Sequence, residues 1–379
     1  MKKFIALLLA LVMILGLVAC GAKEEAAEAG YKVAMVTDYG DITDQSFNQT
    51  TYEACKAFCE GNSIEFTYYK PAGDSDAERV AMIEKAVDEG FNIIVLPGFA
   101  FANAVAATAP QYTDVKFIVL DVSEYDLQTA GLTEETMTNV YSAVYQEELS
   151  GYMAGYAAVK LGYTKLGFLG GMAVPAVQRF GYGYVQGADA AARELGITID
   201  MNYIYGGLFY GTADFTAVMD TWYQGGTEVV FACGGGIFTS AVDAAKKVEG
   251  AKVIGVDVDQ AGVIANYAGD ADTSLTVTSA MKGLYPTTVD TLTDVIINGN
   301  WEKYSGKVET LGLVSGDDPT VNYVQIPMDS TQWSDSFTQD DYKALVKGMF
   351  DGSIKVSADV SAMPAVTNTN LSDQGQIVG

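Results

Sequence analysis

"KVAMVTDYGDITDQSFNQTTYEACKAF", residues Lys32 to Phe58, starts as an apolar run, stops at Asp38, turns polar, and resumes at Phe47 with helical spacing. An apolar run of strand length that ends on a carboxylate has reached the rim of its sheet, because the interior offers an ionised group no partner. From Ser46 to Glu60 the apolar positions fall on one helical face, so the stretch reads as strand, polar turn and helix. Ser46 followed by Gln49 fits a capping box, which makes Ser46 the N-cap and puts Phe47 and Asn48 in the first turn. Asp38, Asp41, Asp44 and Asn48 then surround a single aromatic. Phe47 has two readings: it begins the buried stripe shared with Ala54 and Phe58, or it is displayed at the rim.

The same alternation continues outward. Ile64 to Tyr69, Asn92 to Leu96 and Lys116 to Leu120 read as buried strands, with helical patterns at Asp74 to Glu89 and Phe101 to Ala109 between them. After Tyr145 the scheme restarts: a helix at Glu147 to Leu161, a strand at Lys165 to Leu169, a long helix at Ala176 to Leu195, and strands near Met201, Val229 and Val253. Alternating strands and helices make parallel sheets covered on both faces, so the expected fold is α/β, two doubly wound Rossmann-like lobes in series. Further strands end on informative residues: "IIVLPG" at Gly98, "FIVLD" at Asp121, "LGFLGG" at Gly171, "VVFACGGG" at Gly236 and "VIGVDVD" at Asp257 and Asp259. Open α/β sheets bind ligands just past the carboxyl ends of their strands. If the two rims face each other, these residues line one cleft. The alternative reading of Asp257 and Asp259 is as helix-capping or solvated loop acids.

The first residues place the chain. Lys2 and Lys3 precede an apolar stretch from Phe4 to Leu15, and Leu17-Val18-Ala19-Cys20 is a small-residue site before a cysteine, the layout of an export signal. The run falls short of the roughly 20 apolar residues a membrane span needs. It resembles a bacterial lipoprotein signal, which implies cleavage before Cys20 and lipidation of its sulfur; residues 1–19 are then the signal and the small, acidic residues 20–30 a flexible tether. About 360 residues remain, enough for two domains with substantial cores.

Charge and composition exclude several classes. With 22 Lys plus Arg against 48 Asp plus Glu, the formal net charge is -26, which repels nucleic acids and polyphosphates. Histidine is absent, which removes Ser-His-Asp and Cys-His catalysis and the usual zinc sites. Besides Cys20 the cysteines are Cys55, Cys59 and Cys233, with no metal-ligand spacing. Cys55 and Cys59 lie one helical turn apart, about 5 to 6 Å between Cβ atoms, too far for an unstrained disulfide. They read as buried thiols.

"TDYGDITDQSFNQTTYEA", "FIVLDV", "FACGGGIF", "VIGVDVDQ" and "TSAMKG", in this order and spacing, resemble the Bmp or PnrA-like family over about Tyr31 to Val356. The resemblance implies a type I periplasmic-binding-protein fold, two lobes joined by crossover strands: residues 31–144 with 281–316, then 145–280 with 317–360, and a tail at 361–379 whose polar end, Thr367 to Gly379, reads as disordered. It implies a lipid-anchored extracytoplasmic protein, a monomer, that captures a nucleoside and delivers it to an ABC permease. It implies a site as well. Phe47 would stack on the base and Phe209, or its neighbour Tyr210, would cover the other face. Asn48 and Asp121 would hold the base edge; Asp257, Lys282 and the loop at Gly235 the ribose. Asp38, Asp44 and Ser46 complete the ligand-binding set.

Chemistry read from the residues agrees. A flat base stacks on an aromatic ring for about 1 to 3 kcal/mol, and Asp257 can accept two hydroxyl protons from a diol. "ACGGGIF" lets backbone N–H groups approach a ligand oxygen at a helix start, yet it lacks the Lys and Ser or Thr of a phosphate-binding loop, so a nucleoside is expected over a nucleotide. No cofactor and no metal is expected: Asp38, Asp41 and Asp44 recur every three residues, which does not match a calcium loop. Three alternatives stay open: a lipid-anchored sensor with the same site, a binding protein for a sugar or other small polar ligand, and a nucleoside hydrolase working through paired carboxylates. Asn48 and Asp121 lean toward a purine with a ring N–H, guanosine or inosine.

Overall fold

A computed structural model describes residues 30–270 and 272–377; the expected signal, the Cys20 lipidation site and nearly all of the tether lie outside them. The described chain forms two compact units. One comprises residues up to Tyr39, Thr51–Ala143 and Tyr285–Glu309; the other comprises Gly40–Thr50, Val144–Leu284 and everything from Thr310 onward.

In the first unit the alternation runs β1 (Lys32–Val36), α1 (Phe47–Asn62), β2 (Glu65–Tyr69), α2 (Asp76–Asp88), β3 (Ile93–Pro97), α3 (Ala102–Thr108), β4 (Lys116–Leu120), α4 (Glu124–Thr129) and β5 (Val140–Tyr145). These strands and β11 (Lys307–Leu311) form a six-stranded sheet in the order β11-β5-β4-β3-β1-β2. The pairs from β5 to β2 are parallel. Val36, Ile94, Leu96, Phe117 and Val119 are fully buried in its core, as apolar strands covered on both faces must be.

The second unit repeats the scheme. α5 (Glu147–Lys160), β6 (Lys165–Gly170), α6 (Pro175–Leu195), β7 (Ile199–Tyr205), α7 (Ala213–Gln224), β8 (Val229–Cys233), α8 (Phe238–Ala245), β9 (Lys252–Asp257), α9 (Ala261–Ala268) and β10 (Thr276–Lys282) follow in order. Then come α10 (Leu284–Leu292), which runs on into the first unit, β12 (Val324–Gln325), α11 (Gln339–Phe350) and β13 (Thr369–Gln376). The sheet order is β12-β10-β9-β8-β6-β7-β13, parallel except for the antiparallel β12. The two sheets therefore share one winding: β4 occupies in the first the place that β9 occupies in the second.

Two expectations are corrected here. Gly40–Thr50 falls inside the expected first lobe, yet it groups with the second unit, because Gln45 and Ser46 hydrogen-bond to Gln260 and Asp257. The C-terminal residues are not a disordered tail: Thr369–Gln376 pairs parallel with β7 from Thr369 opposite Ile199 onward. Buried Asp189 of α6 accepts from the backbone N–H of Thr367 (3.0 Å) and Asn368 (2.7 Å) and from Thr369 Oγ1 (3.0 Å). A polar strand needs no apolar face when it lies at a sheet edge and its backbone groups are paired.

α5 and α6 cross unusually closely. A Cβ built at Gly151 or Gly155 of α5, or at Gly183 or Gly187 of α6, would stand 2.0 to 2.2 Å from a carbonyl oxygen of the opposite helix. Only glycine permits that approach, and it brings the first turns of both helices together.

Candidate functional site

The turn between β1 and α1 is built around Asp44. Its carboxylate accepts from the backbone N–H of Ser46 (2.9 Å), Asn48 (2.8 Å) and Gln49 (3.0 Å) and from Asn48 Nδ2 (3.2 Å). First-turn N–H groups have no partner within a helix, so Asp44 is the residue that caps α1. The expected Ser46–Gln49 capping box does not form; Gln49 Oε1 accepts from Gln45 N instead, at 3.1 Å. Burial pushes the Asp44 carboxyl up to about 6, against the pull of its backbone hydrogen bonds. Both oxygens serve the turn, so Asp44 supports Phe47 and Asn48 by fixing where the helix begins.

Ser46 is thereby released for another partner. Its Oγ donates to Asp257 Oδ2 at 2.5 Å. Asp257 ends β9 with φ 65, a left-handed conformation that costs a residue other than glycine about 1 to 3 kcal/mol and collects at functional sites. Lys282 ends the neighbouring β10, and its Nζ lies 3.8 Å from Asp257 Oδ1 and 3.5 Å from Glu147 Oε1. Glu147, the first residue of α5, is fully buried, and its other oxygen accepts from Arg179 Nε at 2.6 Å. The result is a chain that starts at the Ser46 hydroxyl and continues in alternating charge through Asp257, Lys282, Glu147 and Arg179. Three rings surround its ammonium, with centroids at 4.6 Å for Phe47, 5.5 Å for Tyr145 and 5.7 Å for Phe180, a geometry that favours a desolvated cation. Burial raises the Asp257 carboxyl, while the Lys282 charge and the Ser46 hydrogen bond draw it back down.

Gln260 completes the turn. Its Oε1 accepts from Val256 N at 2.9 Å and its Nε2 donates to Gln45 O at 3.1 Å. Asp259 accepts from Ala261 N at 3.1 Å, so it holds the start of α9, whereas Asp257 does not.

Phe209 lies in the loop after β7. Its ring covers Gly171 and Gly234, where a Cβ would come within 2.3 and 2.7 Å of ring carbons. Its carbonyl accepts from Gly236 N at 2.8 Å, and Gly235 passes beneath that carbonyl at φ 51. Tyr210 is 57% exposed. Of the two neighbouring aromatics, Phe209 is the one seated on the glycine turns.

Asp38 and Asp121 belong to the first unit. Asp38 Oδ1 accepts from Tyr39 N at 2.7 Å, and its side chain packs against Gly98. Asp121 follows directly on β4 with φ 65, as Asp257 has at the end of β9, and its N–H donates to Ala143 O at 2.8 Å. Each sheet thus ends its corresponding strand on an aspartate held left-handed.

The second unit brings Ser46, Phe47, Asp257 and Lys282 into one cluster, with Asp44 and Asn48 in the turn beside them. Glu147, Arg179 and Gln260 belong to it but were not expected from sequence. The only signal was the acid pair Glu147-Glu148 at a helix start, where acids are common for dipole reasons alone. The free cysteines Cys55, Cys59 and Cys233 are buried. Burial pushes the Cys59 thiol up to about 12. Among the described residues no cluster of three or more His, Cys, Asp or Glu could hold a metal ion, and no helix is long and apolar enough to cross a membrane.

The profile of a family described as "ABC transporter substrate-binding protein PnrA-like" matches residues 31–341. A Lactococcus lactis protein named "ABC transporter nucleoside-binding protein BmpA" is 28% identical over 298 residues, 75% of this chain and 80% of its own. "Basic membrane protein A" of Borreliella afzelii is 28% identical over 249 residues, 65% of this chain and 72% of its own. Among solved structures, an ABC transporter solute-binding protein from Aeropyrum pernix superposes with TM-score 0.66 at 20% identity, over 86% of this chain and 87% of its own. One from Conexibacter woesei gives 0.64 at 20%, covering 86% and 99%. These structural likenesses establish the type I solute-binding fold.

Proposed function

Because the chain belongs to the PnrA-like family of ABC transporter substrate-binding proteins, a family of binding proteins and not of enzymes, we propose that it captures a purine nucleoside and hands it to an ABC permease. The observation that carries this reading is the cluster of Phe47, Asp257 and Lys282: an aromatic ring, a carboxylate and an ammonium within a few ångströms of one another. A nucleoside offers a flat base and a sugar diol. The base stacks on Phe47, and the 2′ and 3′ hydroxyls donate to Asp257, whose oxygens keep lone pairs beyond those used by Ser46 and Lys282. Phe209, on its glycine floor, offers a second stacking ring, and Gly235 a backbone N–H for a sugar oxygen.

Asn48 and Asp121 are assigned to the base edge and favour a ring N–H, which selects guanosine and inosine over adenosine; Asp38 joins the polar set. The name of the Lactococcus lactis relative, a nucleoside-binding protein, supports the ligand class. A lipid on Cys20 holds the mature protein at the extracytoplasmic face of the membrane, where it works as a monomer.

The test is calorimetric titration of purified protein, unfolded and refolded to remove any bound ligand, with guanosine, inosine, adenosine, uridine, ribose and galactose. Micromolar or tighter binding of guanosine or inosine, with free ribose and galactose silent, is expected. Binding of a free sugar with every nucleoside silent would overturn the reading.

A further inference from the structure

Arg179 and Glu147 stand behind the cluster, and nothing in the ligand-binding scheme uses them. Glu147 divides its oxygens between two cations, Oε2 to Arg179 and Oε1 to Lys282. Its side chain is wholly buried, and that of Arg179 is 18% exposed. Breaking such a buried pair leaves an uncompensated charge, which the fold resists strongly. The close glycine crossing of α5 and α6 holds the two helix starts in register, so the Glu147 carboxylate has little freedom to move. Counting the charges of Asp257, Lys282, Glu147 and Arg179 gives two negative and two positive.

From this arrangement we propose that Glu147, braced by Arg179, is a positioning residue that fixes the Lys282 ammonium beside Asp257 and, by cancelling the cluster's surplus positive charge, makes the site refuse a phosphate while accepting sugar hydroxyls. The inference rests on the nucleoside reading above. Without Glu147 the cluster would carry one net positive charge beside a flexible ammonium, the arrangement that draws in phosphate. With Glu147 held by Arg179, Lys282 has a carboxylate on each side and spends its charge within the protein.

Two measurements on the full mature protein test this. The first compares affinity for inosine with affinity for inosine 5′-monophosphate by calorimetry. Glu147→Gln is expected to narrow the preference for the nucleoside by about tenfold or more, the scale of effect of an unpaired buried charge. Arg179→Gln, which leaves the cluster with one net negative charge, is expected to widen it, and Glu147→Asp and Arg179→Lys to hold it near that of the natural protein. A loss of both affinities in parallel, with the ratio unchanged in Glu147→Gln, would overturn the proposal, because that is what a merely structural residue produces.

The second measurement needs no ligand. The rate at which an amine-acylating reagent modifies Lys282 is followed by peptide mass spectrometry, with surface Lys165 as internal reference. Glu147→Gln is expected to raise the Lys282 rate relative to Lys165 by about tenfold, as the ammonium loses one of its two carboxylates; an unchanged relative rate would overturn the positioning role. If the natural protein binds no nucleoside, the nucleoside reading and the phosphate-refusal part of the proposal both fall, while the acylation rates alone still decide whether Glu147 positions Lys282. Should Glu147→Gln fail to fold, Arg179→Gln against Arg179→Lys carries the same comparisons, and no difference between them in either readout would overturn the proposal.

Discussion

At the scale of single residues, the site depends on which partner each polar group finds. Ser46 and Asp44 are two residues apart, and either could cap α1; Asp44 does so with both oxygens, which leaves the Ser46 hydroxyl for Asp257. Local pattern could not show this, because the partner of Ser46 lies 211 positions away in sequence. Phe47 is the next residue, and its ring centroid lies 4.6 Å from Lys282 Nζ. Phe47→Ala removes the stacking face, which should weaken nucleoside binding by about 1 to 3 kcal/mol. Calorimetry against inosine measures the loss, and thermal unfolding of the same variant shows whether the fold is retained. Equal affinity in Phe47→Ala and the natural protein would remove Phe47 from the site.

At the scale of elements, the βα alternation was legible because buried parallel strands are short apolar runs, and "KVAMV", "IIVLP", "KFIVL" and "VVFAC" all are. Strand ends were legible for the same reason: an aspartate closing such a run marks the rim, and Asp121 and Asp257 both close theirs in the left-handed region. The polar strand "TNLSDQGQ" was not legible. It has neither apolar alternation nor β-branched enrichment, and what orders it is the edge of β7 and the distant carboxylate of Asp189. Glu147 and Arg179 were hidden for a related reason, since the pairing of α5 with α6 depends on glycines whose role appears only when the helices cross. Gly183→Ala places a methyl group against the Glu148 carbonyl, which a Cβ would meet at 2.1 Å. Overpacking of this kind should cost about 1 to 3 kcal/mol, seen as a lower denaturant midpoint at unchanged slope. It should also weaken nucleoside binding, because α5 carries Glu147. Native stability in Gly183→Ala would mean that the helices can separate freely.

At the scale of the whole molecule, the chain is an acidic α/β binding protein that buries several ionisable side chains, Glu148 among them. Glu148 is 4% exposed and its Oε2 has no hydrogen-bond partner among the described residues. Burial lifts its carboxyl from 4.5 to about 7, with neighbouring Glu147 adding to the rise and Arg179 opposing it. Asp44 is lifted in the same direction, to about 6. For an acid raised in the folded state, the native form holds the proton over a range where the unfolded chain has already lost it. The associated stability is therefore complete below the unfolded values and is lost as pH rises through the folded ones. Thermal stability should fall between pH 5 and pH 8, and Glu148→Gln should flatten that fall by an amount on the order of 3 kcal/mol at most. A melting temperature that rises over the same interval would contradict the placement of these carboxyls.

On the nucleoside reading, the carboxylate and ammonium at the ends of β9 and β10 recognise a ribose by its hydroxyls. The most direct test is the affinity of the refolded natural protein for inosine against 2′,3′-dideoxyinosine, which carries the same base and lacks both hydroxyls. Hydrogen bonds to charged groups contribute about 1.5 to 3 kcal/mol each, so the dideoxy compound should bind at least about a hundredfold more weakly, and Asp257→Asn should erase most of that difference. Equal affinity for the two compounds would show that the sugar is not read by this cluster.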